Sequence, residues 1–260
     1  MMSKSDHYDK NTINFLGEFW GDGYMSPGGP EEVARVIEGL DLKALCVLDI
    51  GCGSGQISIE LVKTYHARHV TGIDIEDTVV ESTIRRVSSL GLSQDIEIVK
   101  VNPGPLSFAD NTFDLVFSKD SIIHIPDKEA LAAEAFRVTK PGGYFAAADW
   151  LIAHDDEPSQ AMADYILAED LDFAMASPAR YKKAMTEAGF ANVKLTSRNA
   201  WYYGVALNEL ARFSGHERKD WNQKFGENFM MEQEDIWKKL VEVVGTGEHC
   251  PHHIRAQKPF

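Results

Sequence analysis

The stretch VLDIGCGSGQ, residues 47–56, decides the fold. Residues 46–50, CVLDI, form a short apolar run that reads as a strand buried on both faces. GCGSGQ follows at once and leads into a helical stretch. Small residues at that junction let the backbone approach a ligand closely at a helix N-terminus. About twenty residues further on, the run HVTGIDI (69–75) ends in Asp74, whose carboxylate can accept hydrogen bonds from both hydroxyls of a ribose. A nucleoside-type ligand is implied.

Working outward, apolar runs alternate with helical periodicity. Val33, Val36, Ile37 and Leu40 recur at helical spacing ahead of the first strand. After HVTGIDI come a helix over roughly 77–91, the strands IEIVKV and FDLVFSKD, a helix over about 128–139, then KPGG turning into YFAAADWL. This order predicts right-handed βαβ crossovers and a doubly wound, Rossmann-like α/β fold with a parallel sheet covered on both faces. KKAMTEAGF and VKLTSRNAWYY resume a helix and a strand. TGEHCPHHIRAQKPF is expected to form a last edge strand and tail.

The 260 residues, 44% hydrophobic, suffice for one large core or a main domain with a smaller cap. Residues 1–30, ending in the turn-rich GDGYMSPGGP, are expected to form an N-terminal lid segment ahead of a single domain over 31–260. An acidic, mostly helical insertion at 155–182 is a candidate substrate lid. With a formal net charge of -14 there is no basic stripe for phosphates, so nucleic acid and anionic membranes are not expected partners, and a small neutral or cationic molecule is. Three cysteines, Cys46, Cys52 and Cys250, make no disulfide scaffold. Neither a leader nor a membrane span is legible, which reads as cytoplasmic.

The loop spacing separates two ligand classes. A pyrophosphate binder wants G-x-G-x-x-G, whereas here Asp49, Gly51, Gly53 and Gly55 are spaced D-x-G-x-G-x-G, with Gln56 where the third glycine would stand. Asp49 would repel a pyrophosphate and suits a cation. Through VLDIGCGSG, GIDI, LSFADNTFDLVFSKDSIIHI and KPGG the chain resembles the class I methyltransferases over residues 45 to about 150. That resemblance implies S-adenosylmethionine as cofactor and S-adenosylhomocysteine as product. It places Gly51 and Gly53 at the cofactor's amino-acid end, Asp74 on the ribose and Ile75 on the adenine. Where the family often has an acid for the adenine amino group, this sequence offers Asn102.

For chemistry, SKDSIIHIPD puts Asp120 and His124 four apart, just past the carboxyl end of a central strand. On a helical turn they share one face, and a carboxylate beside an imidazole fixes its tautomer and strengthens it as a base. YMSPGG, SKDSIIHI and an upstream tyrosine are similar to the phosphoethanolamine N-methyltransferases. By that likeness Tyr24, Ser26, Gly28 and Gly29 close over the cofactor, with Lys119 beside it. Asp120 and His124 act as latch and base, and Tyr8 donates its hydroxyl in the active site. Trp150, Tyr165, Trp201 and Tyr202 are available to stabilise a growing ammonium by cation–π attraction. Where the family has a lid arginine, the run here is Tyr165-Ile-Leu-Ala-Glu169-Asp170, so Glu169 is expected to meet the substrate and to suit an unphosphorylated amine. EHCPHHIRA matches no established zinc spacing, and no metal is expected.

Overall fold

The computed structural model describes residues 10–260. A seven-stranded sheet runs in the order β3-β2-β1-β4-β5-β7-β6. Its strands are β1 (Cys46–Ile50), β2 (His69–Asp74), β3 (Ile96–Lys100), β4 (Phe113–Lys119), β5 (Thr139–Asp149), β6 (Ala191–Ser197) and β7 (His252–Gln257). The first five pair in parallel, as the βαβ alternation predicts. β7 does not: it lies antiparallel between β5 and β6. The sheet is therefore mixed, and the C-terminal strand is interior. The edge on this side is β6, whose ANVKLTS is exposed at most positions, as an edge strand's solvent face requires. The strand expected through NAWYY also stops at Ser197, because Asn199–Arg212 forms helix α8.

Two apolar layers clothe the sheet. One packs Leu131, Ala135 and Val138 of α5 (Lys128–Val138) with Tyr181 and Met185 of α7 (Pro178–Glu187) against Leu48, Val116 and Phe145. The other packs α2 (Gly29–Val36) and α3 (Gln56–Lys63), through Val33, Ile59 and Leu61, against Val47, Leu115 and Phe117. α4 (Asp77–Ser89) buries Thr83 and Val87 on that same side. Of the acidic stretch 155–182, only α6 (Gln160–Glu169) is an inserted helix; α7 belongs to the framework.

A third cluster caps the carboxyl ends of the strands. It joins α1 (Lys10–Trp20), α6, α8, α9 (Arg218–Phe225) and α10 (Glu227–Thr246). Phe15 and Phe19 of α1 are buried against Phe213, Trp221 and Trp237, mostly edge-on or tilted at 5.0–6.4 Å. Such pairs contribute about 0.5–1.5 kcal/mol beyond their burial. The indole N–H groups of Trp20 and Trp237 donate to the two oxygens of buried Glu209, at 2.7 and 3.0 Å. Helix α1 of the N-terminal segment is thus built into the cap.

Glu32 of α2 joins the cap to the sheet. Its oxygens accept from Arg198 at 2.9 and 2.7 Å, and its Oε1 lies 2.6 Å from His253 Nε2 on β7. Burial alone would raise this carboxyl, but the hydrogen bonds from His253 and Arg198 outweigh it and hold it at about 2. Breaking a buried pair by removing one partner costs about 3–5 kcal/mol, so Glu32→Ala is expected to lower the unfolding free energy in urea by that order. The stabilisation is fully present above the ordinary glutamate range, about 4.3, and is lost as pH falls toward 2. An unchanged urea midpoint would show that the pair is inert.

Candidate active site

The strand order reverses between β1 and β4, so a crevice opens beyond their carboxyl ends, where open α/β sheets bind ligands. The glycine loop follows β1, and the segment carrying Asp120 and His124 follows β4. Gly51, Gly53 and Gly55 all have positive φ (72°, 51° and 79°). A Cβ at Gly51 would sit 1.7 Å from Ser121 Oγ, and one at Gly55 would sit 2.5 Å from Thr83 Cγ2. Glycine is required at these positions by backbone conformation and by space together. The amide of Gly53 donates to Asp74 Oδ2 at 3.0 Å, while Asp74 Oδ1 accepts from Glu76 N at 3.1 Å. The carboxylate at the end of β2 is thereby fixed beside the loop, with lone pairs left for a ligand.

These residues fit the nucleoside and amino-acid ends of S-adenosylmethionine. Ile75 is 49% exposed beside Asp74, a flat apolar platform of the kind an adenine covers. Asn102 is exposed on the loop after β3. Asp49, 1% exposed, accepts a 2.6 Å hydrogen bond from Ser58 Oγ. Burial, with the charge of Asp74 adding to it, pushes the Asp49 carboxyl up to about 7 despite that bond. A cation bound nearby restores the ionised form. Affinity for S-adenosylmethionine is therefore expected to rise by about tenfold from pH 6 to pH 8, as ionised Asp49 becomes the resting state. Stability without cofactor runs the other way, falling as pH rises from the ordinary aspartate range toward 7. Calorimetric titration across this range checks the slope, which Asp49→Asn should flatten; the same slope in both proteins would remove Asp49 from the account.

Beyond β4 the backbone turns sharply. Asp120 has φ 52°, a left-handed conformation that aspartate tolerates better than most residues, and its amide donates to Ala148 O at 2.8 Å. A 3-10 turn, Ile122–His124, follows in place of a regular helical turn. Lys119 Nζ, fully buried, donates to Asp120 Oδ2 (2.7 Å), Ser26 Oγ (2.6 Å) and Pro27 O (2.8 Å). This lysine clamps the YMSPGG segment to the end of β4. Tyr24 instead donates its hydroxyl to Glu60 Oε2 at 2.7 Å, and burial raises its pKa further.

Residues with no motif of their own hold the His124 turn. Asp149, at the end of β5, accepts from Ile123 N (3.1 Å) and from the Tyr181 hydroxyl (2.6 Å). Lys128 Nζ donates to Ile122 O (2.7 Å) and lies 5.3 Å from the centre of the Tyr181 ring. Burial pushes the Asp149 carboxyl up and the Lys128 ammonium down, while the opposite charge of each works against the other's shift. Their sequence signal was a charged residue inside an otherwise apolar helix face or strand end.

A cavity of about 580 Å³ opens under the cap, and both Asp120 and His124 line it. Met25 and Ser26 enter from the N-terminal segment, Trp150 from the end of β5, and Glu169, Asp170 and Phe173 from the insertion. The His124 ring lies 5.5 Å from that of Phe173. Tyr165 is buried behind this wall, where its hydroxyl bonds Glu169. Trp201 is not among the lining residues: it packs over Gly28 and carries the Arg198 guanidinium 4.5 Å above its ring. Tyr8 lies outside the described residues. Sequence reasoning also missed Glu232 and Asp235, which α10 brings to the rim. Among the described residues no cluster of His, Cys, Asp and Glu has the geometry of a metal site, and no helix is long and apolar enough to cross a membrane.

Residues 41–223 match the sequence profile of a methyltransferase domain. The chain belongs to the methyltransferases. Phosphoethanolamine N-methyltransferase 1 of Triticum aestivum is 34% identical over 204 residues, covering 78% of this chain and 40% of the wheat protein. A sterol 24-C-methyltransferase of Aspergillus fumigatus is also 34% identical, over 62% of this chain and 45% of its own length. This methyltransferase thus spans less than half the length of both relatives. In three dimensions, phosphoethanolamine N-methyltransferase 2 of Haemonchus contortus, solved with phosphomonomethylethanolamine and S-adenosylhomocysteine, superposes with a TM-score of 0.89 at 21% identity. It covers 98% of this chain and 59% of that one. The methyltransferase fold, with S-adenosylmethionine as its cofactor, accounts for the glycine loop, Asp49 and Asp74 together.

Proposed function

We propose that this methyltransferase transfers a methyl group from S-adenosylmethionine to the nitrogen of a small polar amine of the phosphoethanolamine type. One observation carries this reading. Asp120 and His124 line a single cavity beyond the carboxyl end of β4, at the switch point of the sheet, and the segment that carries them touches the glycine loop through Ser121 and Gly51. Bound S-adenosylmethionine would supply a methyl group activated on its sulfonium, open to in-line attack by a free amine with S-adenosylhomocysteine as the leaving group. The chain's own residues prepare the amine. An ammonium has no lone pair, so His124 accepts its proton at a ring nitrogen before transfer. Asp120, held by Lys119, stabilises the imidazolium that results. The cap excludes water, and Trp150 and Phe173 offer ring faces to the cationic product, about 0.5–2 kcal/mol each. The relatives named as phosphoethanolamine N-methyltransferases support nitrogen as the acceptor atom.

The sterol relatives raise methylation at carbon as a second reading. Carboxylates in the cavity wall count against a sterol, because an apolar ligand would strip water from them without replacing their hydrogen bonds. Calorimetry with S-adenosylmethionine, followed by an S-adenosylhomocysteine release assay, decides between the two. Release with amines and none with sterols is expected. Release with sterols alone would overturn nitrogen as the acceptor, and no binding of S-adenosylmethionine would overturn the cofactor site.

A further inference from the structure

The wall of the cavity carries the charge pattern of a cation site. Its ionisable side chains are Asp120, His124, Glu169, Asp170, Glu232 and Asp235, with the Tyr202 phenol among them. No lysine or arginine is among the described residues lining it. The adjacent Lys119 is consumed by Ser26, Pro27 and Asp120. A phosphomonoester in this space would face carboxylates and find no guanidinium to bind its oxygens in pairs.

A second, independent feature asks for a ligand. The Tyr202 side chain is 1% exposed and lines the cavity, yet its hydroxyl has no hydrogen-bond partner among the described residues. A buried hydroxyl left unpaired costs about 1–3 kcal/mol, so a ligand atom there recovers a bond the fold forgoes. Tyr202 sits within the electrostatic reach of both Asp120 and Glu169. Burial pushes Glu169 up to about 7 against the hydrogen bond from Tyr165, and a positive group beside it favours the charged form.

Resting on nitrogen as the acceptor atom, and departing from the phosphoethanolamine type in what the amine carries, we propose that the acceptor is a small organic cation with neither phosphate nor carboxylate, an amino alcohol or short diamine. Its reacting nitrogen lies at His124. Its other end, a hydroxyl or second ammonium, is received by Glu169 and Tyr202.

The test is an S-adenosylhomocysteine release assay on the full chain with ethanolamine, N-methylethanolamine and 1,3-diaminopropane, set against phosphoethanolamine and glycine. The unphosphorylated cations are expected to exceed the two acidic amines in kcat/KM by about 100-fold or more, the scale of one buried charge-assisted bond gained or opposed. Glu169→Gln is expected to raise KM for the cations about 10–100-fold with a smaller change in kcat, and Tyr202→Phe to raise it several-fold, both with unchanged affinity for S-adenosylmethionine. A preference for phosphoethanolamine or glycine would overturn this assignment and leave amine methylation standing. So would wild-type KM in Glu169→Gln. Turnover of none of these amines by protein that binds S-adenosylmethionine would overturn both.

Discussion

Replacing His124 by alanine is expected to lower kcat for amine methylation by about 10²–10⁴-fold, the usual contribution of a positioned general base. Affinity for S-adenosylmethionine should stay within twofold, because the residues proposed to hold the cofactor, the glycine loop, Asp49 and Asp74, are positioned by bonds that do not involve this ring. The fold should also persist. The turn that carries His124 is anchored through its backbone, by Ile123 N on Asp149 and by Ile122 O on Lys128. The defect should shrink as pH rises toward the range where the amine deprotonates in solution, since free amine then no longer needs a base. A uniform loss at every pH would assign His124 to positioning the substrate. Undiminished turnover would remove it from the mechanism.

Gly51→Ala is the substitution expected to damage the cofactor site most. At φ 72° an alanine pays about 1–2 kcal/mol for the left-handed conformation. Its Cβ would also lie 1.7 Å from Ser121 Oγ and 2.4 Å from Ser121 Cβ, an overlap that overpacking data put at about 1–3 kcal/mol. The two costs act on the loop proposed to meet the cofactor and on the first residue of the segment that carries His124. A loss of S-adenosylmethionine affinity of about 30-fold or more is expected, with a lower urea midpoint. The partner substitution Ser121→Gly removes the obstructing side chain and should restore only the steric part. Calorimetry on Gly51→Ala, Ser121→Gly and the double variant measures this coupling directly. Full additivity would mean that the loop and the catalytic turn do not press on one another, and wild-type affinity in Gly51→Ala would discard the argument.

The glycine loop was legible in the sequence because its demand is local. A buried strand that must hand its chain to a helix within a few residues, leaving room for a ligand, admits only small residues at positive φ. GCGSG satisfies that within one contiguous stretch. Asp74 was legible for the same reason, at the end of the next apolar run. Asp120 and His124 stood out as candidates through their spacing and their resemblance to a family segment, although the turn between them is 3-10 and starts from a left-handed aspartate. Trp201 shows the limit of reading aromatics from a sequence. Its neighbour Tyr202 faces the cavity, while Trp201 turns to cover Gly28.

The sequence by itself determined the order of strands and helices, the cofactor loop and the placing of an acid and a histidine after β4. Each of these follows from contiguous periodicity and from turn chemistry that neighbouring residues settle among themselves. Tertiary structure alone decided that β7 enters the sheet between β5 and β6. It also decided that α1 is sealed into an aromatic cap, and that Asp149, Lys128 and Tyr181 brace the His124 turn. It alone brought Glu232 and Asp235 of α10 to the rim of the cavity. These pairings join residues far apart in the chain. Burial and hydrogen bonding select them only once the whole core has formed, so no local pattern announces them.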